Sequence, residues 1–338
     1  MVDLATLAHR LVEAGKRVIA PVTLDGVTLF RELVPGAEPD FDTWMTRNSA
    51  KEAVFPRSEV ILAYEKDARE MRLSEPERTA QPTVVIGAHP CDAAAMCITD
   101  PLFAWDDDDL FYQEKRQATT VISLACTDCD DACFCLSVGL APDATEGSDI
   151  LLTKTSDEEY LVEVLSEKGE TVVSAFSDLF RQGGGDKSLA TQKAYARQEE
   201  RVDMTRVKAT LDRESDLCSL DDAGLRCLGC AICAYTCPTC HCFDIQDEAG
   251  RTRGERRRNW DACTLALYSL HGDGHNPRPR QADRYSNRVR HKFQYYPALF
   301  GRILCTGCGR CSRNCPVGIN MAEVLHELAV AASSEKKA

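Results

Sequence analysis

Residues 226–238 read RCLGCAICAYTCP, and residues 304–316 read LCTGCGRCSRNCP. Both stretches follow C-x2-C-x2-C-x3-C-P: Cys227, Cys230, Cys233 and Cys237 before Pro238, then Cys305, Cys308, Cys311 and Cys315 before Pro316. Three closely spaced thiols can fold round one face of a compact body, while the fourth is carried off and its proline turns the chain. Around this repeat lies a chain of 338 residues with 18 cysteines. That is about 5%, below the roughly 8–10% of a disulfide scaffold and well above an ordinary enzyme. The length fits about two domains. Apolar residues at 44% and charged residues at 28% exclude disorder as the default. Forty basic against 53 acidic residues leave a net charge of −13, which argues against a nucleic-acid binder with a global basic field. No run approaches the roughly 18 apolar residues of a membrane span. The opening MVDLATLAHRLVEAGKR spaces Leu4, Leu7 and Leu11 as a surface helix and lacks the layout of a secretion signal. A cytoplasmic chain is expected, in which spaced thiols stay reduced and bind metal.

The repeated run is the ligand pattern of bacterial ferredoxins that hold two [4Fe–4S] clusters, where the fourth cysteine of each run serves the other cluster. Cluster A is then expected on Cys227, Cys230, Cys233 and Cys315, and cluster B on Cys305, Cys308, Cys311 and Cys237. Gly229, Ala231, Gly307 and Gly309 leave room for backbone N–H groups to approach the sulfurs, which raises reduction potential. Two structural zinc sites are the rival, but zinc requires only one tetrahedral set of four ligands and not the whole run twice. Full cysteine ligation leaves no open iron, so the chemistry expected is electron transfer, with no catalytic residue assigned. Neither G-x-G-x-x-G nor G-x-x-x-x-G-K-[ST] occurs, which places any NAD(P) or flavin chemistry on another subunit.

The first half alternates apolar runs with helical patterns. Strands are expected at Arg17–Val22, Val27–Leu33, Val60–Tyr64, Thr83–Ala88, Thr120–Ala125, Ile150–Thr153 and Tyr160–Leu165, and Asp106–Asp109 is expected to be a solvated turn. Gly183, Gly184 and Gly185 mark a flexible break. The predicted fold is α+β: a mixed α/β domain over 1–185, a connecting helix over 186–215, and a mostly helical, ferredoxin-like domain with two [4Fe–4S] clusters over 216–338, ending in a helix from Met321 to about Ala332.

Two predicted strands run into cysteines, at HPCD (89–92) and at Cys126, and the carboxyl ends of neighbouring parallel strands bring loops together. Cys91, Cys126, Cys133 and Cys135 are therefore a candidate third iron–sulfur site, with free thiols or a zinc site as the alternatives. Cys240, Cys242 and Cys263 either pack near cluster B or help ligate another centre, and Cys97 and Cys218 read as ordinary thiols. Residues 251–292 hold ten arginines and one lysine against four acids, suited either to docking and charge balance or to a solvated face. His275, with Asn276, Pro277 and Arg278, either shapes a cluster pocket or is structural.

The order VVIGAHPCDAAAM (84–96), CTDCDDACFCLSVG (126–139), RCLGCAICAYTCPTCHCFD (226–244), NWDACT (259–264), GHNPR (274–278), RHKF (290–293) and CTGCGRCSRNCPV (305–317) resembles the iron–sulfur subunits of soluble multimeric oxidoreductases. Similar proteins are the beta subunit of cytoplasmic [NiFe] sulfhydrogenases, the iron–sulfur subunit of anaerobic sulfite reductase, and dicluster proteins of heterodisulfide reductase-type complexes. The chain departs from them at His89, where arginine is common, and in the additional Cys129. The resemblance implies an electron relay from an FAD- and NAD(P)-binding subunit to a catalytic subunit such as a hydrogenase or sulfite reductase, or in the reverse direction. The alternatives are a subunit of a heterodisulfide reductase-type complex, or an enzyme with a substrate-binding cluster in its N-terminal domain.

Overall fold

The computed structural model describes residues 3–334 apart from 68, 77, 79, 157–158, 182, 199–200 and 214–217. Its strands are β1 (Arg17–Leu24), β2 (Val27–Glu32), β3 (Ser58–Lys66), β4 (Met71–Ser74), β5 (Thr83–Ala88), β6 (Thr119–Leu124), β7 (Ile150–Ser156), β8 (Glu159–Val164), β9 (Phe243–Ala249) and β10 (Arg253–Trp260). Six form a sheet in the order β2-β1-β5-β6-β7-β8, with β1, β5, β6 and β7 parallel and both edges antiparallel.

Every residue of β5, TVVIGA, is buried, as a central parallel strand covered on both faces requires. Side chains alternate between the faces from Val84 to Ile86, and a bulge at Gly87 then shifts the alternation. Val84, Ile86 and Ile122 enter one core with Leu7 and Leu11 of the helix Leu4–Glu13. Val85, Ala88 and Val121 enter the other with Met96, Phe103 and Tyr112. Asp3 starts the first helix by accepting from the amides of Ala5 and Thr6 at 3.0 and 3.2 Å.

The second sheet, β4-β3-β10-β9, takes two strands from each half of the chain. Antiparallel pairing of β3 with β10 sets Glu59 opposite Arg258. The Arg258 guanidinium, buried in this interface, bonds Glu59 at 2.7 Å and also the carboxylate of Asp109. Asp109 additionally accepts from the Tyr112 amide at 3.0 Å and caps the helix Leu110–Ala118. It therefore fixes the second sheet to the first half and is not merely part of a solvated turn.

Residues 186–215, read from sequence as one helix, contain two, Lys187–Arg197 and Met204–Arg213. The second start is imposed by Asp203, whose side chain takes the amides of Thr205 and Arg206 at 3.0 and 3.1 Å. The expected boundary near 215–216 lies among residues outside those described. Beyond it the helices Cys218–Arg226, Gln281–Arg290 and Met321–Ser334 surround the repeats. Leu220, Val289, Leu325 and Leu328 form their common core, and Phe134 from the N-terminal half inserts into it. The chain is thus mixed α/β, and the cysteine-rich half adds a hairpin to its helices.

Candidate metal centres

The two repeats share one backbone conformation. Gly229 and Ala231 have φ of 65° and 64°, and Gly307 and Gly309 have φ of 64° and 70°. These left-handed residues turn each loop so that Gly229 N–H approaches Cys227 Sγ at 3.5 Å and Gly307 N–H approaches Cys305 Sγ at 3.4 Å. Glycine adopts that conformation freely, whereas an L-residue such as Ala231 is held there at a cost of about 1–2 kcal/mol. The third cysteine of each repeat sits on a short helix, Ile232–Tyr235 or Arg310–Arg313.

Cys227, Cys230, Cys233 and Cys315, together with Cys311, line one pocket open to solvent, with Tyr285 and Arg288 in its wall. The sulfur of Cys227 also receives the Gln281 amide at 3.3 Å, and that of Cys315 the Ile319 N–H at 3.3 Å. Thiols from both repeats, with N–H donors aimed at sulfur, are the donor chemistry a [4Fe–4S] cube needs. Among the described residues, no three His, Cys, Asp or Glu side chains converge as tightly as a single ion demands. The four thiols stand round a void instead.

In the second set, Cys305 and Cys311 are pushed up to about 12 and about 11, first by burial, with the charge of Cys237 adding to both. Cys237, from the first repeat, therefore lies among the cysteines of the second. Three buried cations serve this region. Lys292 Nζ donates to Cys237 Sγ at 3.5 Å, Thr239 Oγ1 at 2.9 Å and the Leu304 carbonyl at 2.9 Å. Arg288 donates to Cys240 Sγ at 3.2 Å and to the Cys233 carbonyl at 2.8 Å. Lys51 donates to the carbonyls of Ala234 and Cys240 and lies 4.1 Å from the Trp260 ring. Burial alone disfavours a charged lysine, yet Lys292 is raised overall because the neighbouring sulfurs, Cys237 first and then Cys240, outweigh it. Of the ten arginines in the stretch, Arg258, Arg284, Arg288 and Arg290 are buried, and the other six are exposed or half-buried. His275 is exposed.

The surplus thiols divide. Cys91 hydrogen-bonds Cys308 of the second repeat, which is lowered to about 6, by Cys91 first and against its own burial. Cys240 stands in the same relation to Cys237, and Cys263 to Cys242. Cys126 meets His89 Nδ1 at 3.5 Å and feels the charges of Cys135, Cys133 and Cys129. Cys97 receives a long 3.7 Å contact from Arg116, and the Cys218 side chain lies outside the described residues. Sequence reasoning missed Lys51, Arg288, Lys292 and Arg310. Of these Arg288 and Lys292 carried a signal, as members of the basic stretch between the repeats.

Arg310, between Cys308 and Cys311, is fully buried and pairs with Asp92 of the HPCD motif through two 2.8 Å bonds. Thr46 takes its remaining donors at 3.0 Å through its carbonyl and hydroxyl. This fork anchors the N-terminal domain on the second repeat.

Residues 226–319 match the family described as a 4Fe-4S dicluster domain. The chain is 29% identical over 330 residues to sulfhydrogenase 2 subunit beta of Pyrococcus furiosus, covering 95% of this chain and 94% of that one. No solved structure matches. The chain is thus an iron–sulfur protein of electron transfer whose C-terminal region carries two [4Fe–4S] clusters.

Proposed function

We propose that this iron–sulfur protein is the electron-relay subunit of a multi-subunit oxidoreductase, linking an FAD- and NAD(P)-binding subunit to a catalytic subunit of hydrogenase type. The observation that carries it is the all-thiol character of both sets, which leaves iron able to exchange electrons but with no open position for a substrate. Similarity to a sulfhydrogenase beta subunit along nearly the whole chain supports the same reading. Cluster A would be held by Cys227, Cys230, Cys233 and Cys315, and cluster B by Cys305, Cys308, Cys311 and Cys237. Cys230 is exposed and flanked by exposed Leu228, which makes cluster A the surface at which a partner exchanges electrons. A cytoplasmic location belongs to this reading, and among the described residues no helix is long and apolar enough to cross a membrane. Native purification tests it: flavin-containing and catalytic subunits are expected to accompany the chain, and a redox-inactive chain without stable partners would sink the proposal.

Lys292 follows as a residue that sets potential. A buried cation donating to a ligand sulfur favours the reduced, more negative cluster. Lys292→Gln is expected to lower the potential of cluster B by on the order of 60–120 mV, the equivalent of about 1.5–3 kcal/mol for one charged hydrogen bond. An EPR-monitored redox titration reads it, with cluster A as the internal reference.

A further inference from the structure

We propose that the loop Cys126–Cys135 holds a third [4Fe–4S] cluster on Cys126, Cys129, Cys133 and Cys135, through which electrons pass between cluster B and the N-terminal surface. This rests on the relay function for its purpose, but not for its ligands.

The need for such a node comes from how the second repeat is enclosed. Cys237 and Cys308 are buried, and the backbone of the 126–135 loop lies directly on the repeat's own turn. A Cβ added at Gly307 would stand 2.5 Å from the Cys135 nitrogen, and one at Gly309 2.5 Å from the Ala132 carbonyl oxygen. The Phe134 amide donates to the Gly307 carbonyl at 2.9 Å, which locks the two loops in contact. The 126–135 loop is thus in direct backbone contact with the turn of the second repeat.

The loop is built as a ligand set. Cys126 leaves the end of β6 with its amide bonded to the Pro142 carbonyl at 2.8 Å, and the Cys135 carbonyl takes the Leu140 amide at 3.0 Å, so both ends are pinned. Cys129, Cys133 and Cys135 are 3%, 6% and 7% exposed, three buried thiols within seven residues. One cation reaches a sulfur of the set directly. Arg313 donates to Cys133 Sγ at 3.0 Å while paired with Asp130, and Arg197 and Arg201 hold the carbonyls of Cys129 and Asp131. Cys135 Sγ donates to Gln198 Oε1 at 3.0 Å, and Cys129 Sγ to the Ala194 carbonyl at 3.5 Å. Cys91 lies against Cys308 of the second repeat and is not counted in this set.

On the far side, Cys126 lines a cavity of about 710 Å³ with His89, Trp44, Asp128, Lys154 and Tyr160 at the carboxyl ends of β5 and β6. It supplies the outlet. The step is a one-electron exchange: the reduced cluster B is oxidised, the third centre is reduced, and no bond or proton moves.

The test is the iron and acid-labile sulfide content of the full chain purified without oxygen, read with EPR. Four irons per cube give about 12 irons and 12 sulfides for the wild type, and about 8 for Cys129→Ala and Cys133→Ala with the signals of clusters A and B retained. Those retained signals report that each variant has folded. Cys91→Ala is expected to keep about 12. A wild-type chain with about 8 irons, or loss of four irons from Cys91→Ala but not from Cys129→Ala, overturns the proposal. Failure of the relay function would appear separately, as absence of partners from a chain whose iron content is unchanged.

Discussion

Cys237→Ala is expected to remove about four of the irons carried per chain, and those lost belong to the cluster on Cys305, Cys308 and Cys311, although Cys237 lies in the other repeat. The electrostatic signature of Cys237 on Cys305 and Cys311, and the Lys292 contact to its sulfur, place it on that side. Removing the thiol also takes away the largest of the charges that hold Lys292 charged and leaves a buried ammonium bonded to Thr239 and Leu304. The loss should therefore be complete and not a weakened cluster. EPR of the reduced variant with iron quantification checks this. A spectrum in which the set on Cys227, Cys230 and Cys233 is lost, and the other kept, would show that the ligands are not crossed.

The largest effect on stability is expected at Asp92. Its carboxylate is the counter-charge of Arg310, and both side chains are essentially inaccessible to water, at 1% and 0% exposure. Asp92→Ala leaves a guanidinium buried and uncompensated, which costs about 3–5 kcal/mol. Because the pair was itself expensive to desolvate, the double replacement Asp92→Leu with Arg310→Met should recover most of that loss. Anaerobic denaturant unfolding of the single and double variants beside the wild type measures both the loss and the recovery. A single variant destabilised by less than about 1 kcal/mol would mean that the fork is not what joins the domains.

The strongly patterned parts of this fold were legible in the residues. The seven strands expected in the first half are present within a few residues, because TVVIGA and TTVISL are apolar runs that suit buried parallel strands. The strands β4, β9 and β10 were not. MRLS is short and exposed, FDIQDEA has little alternation, and RGERRRNW looks like a basic loop until Arg258 finds Glu59 and Asp109 across the sheet. Pairing partners far along the chain made these strands, and no local propensity announces them. At the candidate site, spacing alone identified the eight cysteines of the repeats. It did not foresee the contact of Cys91, on the helix that starts at Pro90, with Cys308 of the second repeat. Nor could it find Arg288 and Lys292, whose contacts with thiols depend on how one helix packs across the repeat.

The sheet shared by the two halves also bears on how the protein is made. Glu59 and Arg258 are 199 residues apart. At about 5–20 residues per second, a ribosome needs roughly 10–40 s to travel between them. Throughout that interval β3 has only the short β4 beside it, and its other edge offers unpaired backbone groups to any neighbouring nascent chain. Completion of the first half is thus contingent on synthesis of the hairpin between the repeats, and the yield of folded protein is governed by that wait as well as by iron supply.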